Sequence, residues 1–318
     1  MRTRTFILLC ITFIIQFAGV FPLQAGHYYY KQISLKDGLP STVRCILTDE
    51  QGFVWIGTRS GLGRYDGHEL KKYIHQADHP HSLPHNLINQ ITEDKQNNIW
   101  ILTDKGVACY QRQSDDFFIP TDEKGNNILA YSTCLMKDGV LFGSQNKVYF
   151  YNYQNSSLRL LQTFNQEPNF NITLLSLWNA HTLLCCSRWQ GLLLLDLNTG
   201  KHSPPPFDCG KEIMNMLIDS QNRIWIAPYN EGIRCFTPDG KQLASYTTHN
   251  SNLNNNVVLS LAEREGKIWI GTDGGGINIL EPETGRFSLL EHVPGSDNYS
   301  LPANSILCLY NDRNNNIW

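Results

Sequence analysis

Neither a run of lysine and arginine nor an excess of either charge is found in this sequence. Its 318 residues carry 26 basic and 29 acidic side chains, for a formal net charge of −3. That removes the electrostatic footprint of a nucleic-acid binder, whose affinity rests on neutralised phosphates. After residue 25 no apolar stretch approaches the roughly 20 residues that span a bilayer as a helix. Nine cysteines are present but no C-x-x-C spacing, and the closest two, Cys185 and Cys186, are adjacent. Neither a zinc site nor a redox pair is indicated. His75, His79, His81 and His85 crowd one segment, yet Pro80 and Pro84 break it and leave no regular ligand spacing. Paired carboxylates, a catalytic triad and a phosphate loop are also missing. The glycine-rich stretch Thr272–Ile279 lies between two predicted strands, not ahead of a helix. No catalytic residue, metal or cofactor is expected.

The N-terminus has the pattern of a secretory signal peptide over residues 1–25. Arg2 and Arg4 form a positive start, Phe6 to Phe21 is apolar apart from Thr12 and Gln16, and Leu23-Gln24-Ala25 offers a cleavage point. An uncleaved anchor is the alternative reading. Residues 26–318 are then exported, with no membrane insertion after the signal. The cysteines read as small fillers rather than a disulfide framework. Cys45 and Cys308 share one register of two equivalent strands, as do Cys109 and Cys235. A bridge between some pair stays open.

What the sequence does have is a repeat, phased by tryptophan. Trp55 to Trp100 is a step of 45, Trp225 to Trp269 is 44 and Trp269 to Trp318 is 49. Leu141 and Leu184 hold the marker position in two weaker copies, giving steps of 41, 43 and 41. Six residues before the marker stand Asp49, Asp94, Asp219, Glu263 and Asp312, with Leu135 and Trp178 there in the weak copies. Three before it come Gly52, Asn97, Asn222, Gly266 and Asn315, residues that tolerate positive φ. Each unit reads as a strand, an acidic turn, a second strand on the marker, then two more strands. Four short antiparallel strands in such a length make one propeller blade. The second strand, as in Val54-Trp55-Ile56, is apolar at every position because neighbouring blades cover both faces. A small residue two places on (Gly57, Gly143, Ala227, Gly271) allows close approach. The expectation is an all-β, seven-bladed β-propeller with four-stranded antiparallel blades, the last incomplete, since the seventh copy stops at its tryptophan.

The stretch "DGLPSTVRCILTDEQGFVWIGTRSGLGRYDG" resembles the two-component regulator propeller repeat, and so do "HSLPHNLINQITEDKQNNIWILTDKG" and "NYSLPANSILCLYNDRNNNIW". The resemblance covers nearly everything from Tyr28 onward. It implies the periplasmic sensor part of a hybrid two-component system of gut Bacteroidetes. In that family a signal peptide precedes two propellers, an immunoglobulin-like domain, a membrane helix, and kinase, receiver and DNA-binding modules. Members are associated with sensing oligosaccharides and switching on polysaccharide-utilisation genes. The chain would then supply the signal peptide and most of the first propeller, with Tyr28–Ser34 as the outer strand that closes the ring. Its parent would be a histidine kinase anchored in the inner membrane, its partners an oligosaccharide and a second copy of the full-length sensor. The alternatives are a stand-alone exported binding propeller and a propeller enzyme, a lyase or hydrolase.

Candidate ligand residues are loop residues that depart from the repeat. Arg188 and Trp189 put a cation and an indole in one loop, and Tyr229 and Asn230 do likewise in the next unit. Arg59 and Asp273 occupy the matching loops of other units. An aromatic plate beside donors and acceptors suits a sugar ring, whose C–H face stacks while its hydroxyls are bonded.

Overall fold

The computed structural model describes residues 28, 30–33, 38–39, 41–165, 167, 169–210, 212–295 and 300–318. The signal-peptide assignment, Ser34 and most of the connection to the first strand lie outside them. Blade 1 is β1 (Val43–Thr48), β2 (Val54–Thr58), β3 (Gly61–Tyr65) and β4 (Leu70–Tyr73). Blade 2 is β5 (Ile88–Glu93), β6 (Ile99–Thr103), β7 (Gly106–Gln111) and β8 (Asp116–Phe118). Blade 3 is β9 (Ser132–Leu135), β10 (Gly139–Ser144), β11 (Lys147–Asn152) and β12 (Ser157–Thr163). Blade 4 is β13 (Ile172–Leu177), β14 (Thr182–Ser187), β15 (Gly191–Asp196) and β16 (His202–Ser203). Blade 5 is β17 (Ile213–Ile218), β18 (Ile224–Pro228), β19 (Ile233–Phe236) and β20 (Gln242–Tyr246). Blade 6 is β21 (Val258–Arg264), β22 (Lys267–Thr272), β23 (Ile277–Glu281) and β24 (Arg286–Leu290). Each sheet is antiparallel in chain order.

The described residues form six four-stranded blades, not the seven expected. Residues 300–318 hold only the isolated bridges Asp273↔Ser305 and Asn311↔Ile317. Tyr310 and Trp318 exchange backbone hydrogen bonds, but residues 300–318 contain no four-stranded sheet. A segment with a partner on one side alone does not build a sheet. These residues sit between blade 6 and blade 1. Ile306, Leu309 and Ile317 join the cluster around Trp269, while Trp318 packs with Leu39, Val54 and Ile56. Tyr28 meets Trp269 edge-on at 5.5 Å, and the described residues of Tyr28–Ser34 form no strand.

The first strand of each blade lies innermost, beside the first strands of its neighbours. The second strands are buried at every position in blades 1, 2, 3 and 5, as two covered faces require. A Cβ on Gly57 would come within 2.4 Å of Cys45 Sγ and 2.7 Å of Ile88 Cγ2, so the close approach there is real. Gly52, Asn97, Asn222, Gly266 and Asn315 all have positive φ, between 59° and 88°.

The repeated acid has a partner the sequence did not show. Asp49, Asp94, Asp219 and Asp312 each accept the indole N–H of their own marker tryptophan at 2.8–2.9 Å, together with two backbone N–H groups of the turn. Glu263 departs from this. β21 and β22 join through a shorter turn, Glu265 and Gly266 both at positive φ, so Glu263 pairs with Ile268 as Glu93 pairs with Ile99. Its carboxylate accepts the Ser220 N–H of blade 5 at 2.6 Å. Trp269 Nε1 is left without a hydrogen-bond partner among the described residues.

The eight described cysteines are free thiols. Cys109 and Cys235 lie opposite Trp100 and Trp225 as the register predicts. Burial pushes the Cys308 thiol up to about 11 and the Cys235 thiol up to about 12, which keeps both protonated and unreactive.

Candidate functional site

The loops joining second to third strands share one end of the molecule with the connectors between blades. The turns joining first to second strands lie at the other. On the connector face, blades 1, 2 and 6 close their loops alike. Thr58, Thr103 and Thr272 are fully buried, and each donates its hydroxyl to the carbonyl of a glycine at or just before the start of the third strand, at 2.8–3.0 Å. Blades 4 and 5 have Ser187 and Pro228 in that place. Without the threonine clamp their loops are free to present larger side chains, and these are the loops that carry Trp189 and Tyr229.

Trp189 is 61% exposed, while Trp55, Trp100, Trp178, Trp225 and Trp269 are at 8% or less. The Arg188 guanidinium carbon stands 5.0 Å from the centre of the Trp189 ring, a cation–π contact that orients the indole. Tyr229 is 49% exposed and precedes Asn230, whose φ is +58°. One strap of backbone holds the two loops side by side. Arg188 O accepts the Ile213 N–H at 2.9 Å, and Glu212 O accepts the Tyr229 N–H at 2.7 Å. Arg234 anchors the strap from below, donating to Asp208 O at 3.1 Å and pairing with Glu231.

The other two expected residues are not brought into this group. Asp273 Oδ1 accepts the Ser305 hydroxyl at 2.7 Å, and its backbone carbonyl accepts the Asn255 amide at 2.6 Å. It is a fastener between blade 6 and residues 300–318. Arg59 is exposed on the blade 1 loop and has no contact with the Trp189–Tyr229 pair among the described residues.

The histidines of the first connector diverge. His75 Nδ1 donates to Leu83 O at 2.6 Å, His81 Nδ1 lies 3.3 Å from Phe117 O, and His85 Nδ1 accepts the Leu87 N–H at 3.2 Å. His292 repeats the first of these on Leu301 O at 2.7 Å. Its N–H donates to the Asn304 side chain, as that of His75 donates to Asn86. The histidine is a connector brace. No group of three metal-ligating side chains converges among the described residues.

On the opposite face a cleft of about 550 Å³ is lined by Gln51, Asn97, Arg112 and Gln113, with Trp100 and Tyr151 deeper in. Arg112 is engaged behind it, on Asp49 at 3.1 Å and Glu93 at 3.5 Å. Glu93 is nearly inaccessible, and burial raises its carboxyl against the lowering pull of the Glu50 N–H, Arg313 and Arg112. Arg313 reaches Glu93 at 3.1 Å, tying residues 300–318 to blade 2.

Four stretches, residues 37–60, 82–105, 252–274 and 300–318, match the model of the two-component regulator propeller repeat. No curated protein matches. Among solved structures, the extracellular domain of a putative hybrid two-component system from B. thetaiotaomicron is similar at 21% identity and a TM-score of 0.77, covering 92% of this chain and 40% of its own. A second such domain from the same organism gives 23% identity and 0.72, covering 91% and 38%. The chain thus spans about two fifths of both. Streptogramin B lyase is similar in fold at 12% identity and a TM-score of 0.64, over 88% of this chain and 91% of the lyase.

Proposed function

We propose that this chain, which carries two-component regulator propeller repeats, is an extracytoplasmic sensor propeller that binds an oligosaccharide. In this reading the propeller is periplasmic, its parent is a hybrid histidine kinase anchored in the inner membrane, and two copies of the parent pair. Ligand bound outside biases the arrangement of the two copies, and the kinase reads the shift. Genes for polysaccharide use are the output that the family resemblance suggests. The observation that carries the ligand class is Trp189, exposed where the other described tryptophans of complete blades are buried, and held by Arg188 beside Tyr229 and Asn230. An indole face, a phenol, a guanidinium and an amide supply one stacking surface and both signs of hydrogen bond.

Binding of the purified chain to an oligosaccharide array tests the reading, followed by Trp189→Ala and Tyr229→Ala. Loss of about tenfold or more in affinity for each is expected, the truncation cost of an aromatic anchor of roughly 1.4 kcal/mol or more. Unchanged affinity in both variants removes this pair from the site.

A further inference from the structure

Every first strand with a full register carries an irregularity at one place. The pairing shifts between Val43 and Cys45 in β1, Ile88 and Gln90 in β5, Ile172 and Leu174 in β13, Ile213 and Asn215 in β17, and Val258 and Ser260 in β21. The extra residues are Arg44, Asn89, Thr173, Met214 and Leu259. Tyr131 stands in the same place just before β9, its N–H bonded to Gly143 O at 2.8 Å, and Leu307 stands there in residues 300–318. None of these seven residues is buried, whereas Ile88, Ala130, Ile172, Ile213 and Val258, each just before one of them, are at 1% exposure or less. A bulge leaves its extra residue out of the ladder and re-aims the side chain. Since the first strands surround the axis, and Val43 pairs with Thr58 at the loop end of β2, the bulges ring the axial mouth on the connector face.

The ring is divided. Arg44 Nη2 donates to Asn89 Oδ1 at 3.4 Å, and Asn89 Nδ2 donates to Asp104 Oδ1 at 2.9 Å. The phenol of half-buried Tyr131 is pushed up by that partial burial and by the Asp104 charge. Blades 1 to 3 therefore give a polar arc with one cation and one anion. Met214, Leu259 and the 52%-exposed Leu307 give an apolar arc. The apolar side is fixed by two bonds, Asn215 Nδ2 to Leu259 O at 3.1 Å between blades 5 and 6 and Ser260 Oγ to Ile306 O at 3.2 Å between blade 6 and residues 300–318.

We propose that this axial mouth binds a neutral saccharide, hydroxyls on the Arg44–Asn89–Asp104–Tyr131 arc and a C–H face on Met214, Leu259 and Leu307. The opposite charges of Arg44 and Asp104 are linked through Asn89, so these bulge-side groups carry no net charge between them. A guanidinium only donates, a carboxylate only accepts, and an amide and a phenol do both, which matches a row of hydroxyls. The site rests on the saccharide reading above and adds to the Trp189–Tyr229 loops a second set of contacts, on the axis of the same face, with a charge preference.

Isothermal titration of the whole chain with cellohexaose, xylohexaose, mannohexaose and maltohexaose, and with an oligogalacturonide as acidic counterpart, tests it. One of the neutral probes is expected to bind, the acidic one at least tenfold more weakly. Asp104→Asn and Asn89→Ala should each weaken binding about tenfold, and Tyr131→Phe by less, as loss of one hydrogen bond to a ligand hydroxyl implies. Gln113→Ala on the opposite face should change nothing, and all four variants should keep the parent melting temperature. A neutral probe bound equally well by Asp104→Asn and Asn89→Ala overturns the axial site and leaves the saccharide reading standing. Preference for the acidic probe overturns its neutral character. No binding of any saccharide overturns the reading and the site together.

Discussion

Asp94 and Trp100 stand six residues apart and meet through one hydrogen bond of 2.8 Å. Counting along the chain found both residues but not the bond, because spacing gives register and not the reach of a carboxylate. A hint was present. Where Leu135 replaces the acid, Leu141 replaces the tryptophan, and both polar partners vanish together. Asp94→Ala should destabilise the fold by about 3 kcal/mol in urea unfolding, since the indole and two turn N–H groups lose their acceptor. Asp94→Leu combined with Trp100→Leu should cost less than the two changes summed, a coupling that a double-mutant cycle measures. Asp115 carries a second prediction. Burial raises its carboxyl, but hydrogen bonds from Lys71, Tyr110 and Tyr73 outweigh that and hold it at about 2. The folded value lies below the unfolded value of about 3.9. Its contribution is thus complete above about pH 4 and is lost as pH falls toward about 2. Asp115→Asn should remove that portion of the stability–pH slope.

At the scale of strands, the second strand was the most legible element, since two covered faces force an unbroken apolar run. The small residue two places past the marker was readable for the same reason. Gly271→Ala would put a Cβ within 2.4 Å of Ser260 Oγ and 2.7 Å of Ile306 Cγ2. Overpacking of that kind costs roughly 1–3 kcal/mol, seen as a lower urea midpoint at unchanged slope. The bulges were not legible. A one-residue bulge changes pairing without changing the residue types around it, so Arg44 and Asn89 read as ordinary strand residues. Glu263 misled for a related reason: a turn one residue shorter moved it into the place of Glu93 while the count of six to the tryptophan stayed intact.

For the whole molecule, the repeat fixed the class and the phase, but the number of blades turned on pairing that the phase alone does not contain. Residues 300–318 keep the motif and still make only bridges. They nevertheless bind both neighbours, through Tyr310 on Thr48 O of blade 1 at 3.4 Å and Asn311 Nδ2 on Glu263 O of blade 6 at 2.8 Å, and Arg313 reaches past blade 1 to Glu93 of blade 2. Arg313→Ala should therefore speed amide exchange in residues 300–318 and at the Glu50 N–H together. Of the candidate ligand residues, Trp189 and Tyr229 break the loop pattern and are exposed. Asp273 broke it for a structural purpose that only its bond to Ser305 reveals.

The central claim is that the connector face binds a saccharide. Hydrogen exchange by mass spectrometry, with and without a bound oligosaccharide, tests it most directly. Protection is predicted in residues 58–61, 104–106, 187–191 and 228–232, with the turns at 49–53, 94–98 and 219–223 unchanged. Protection confined to those turns would contradict it.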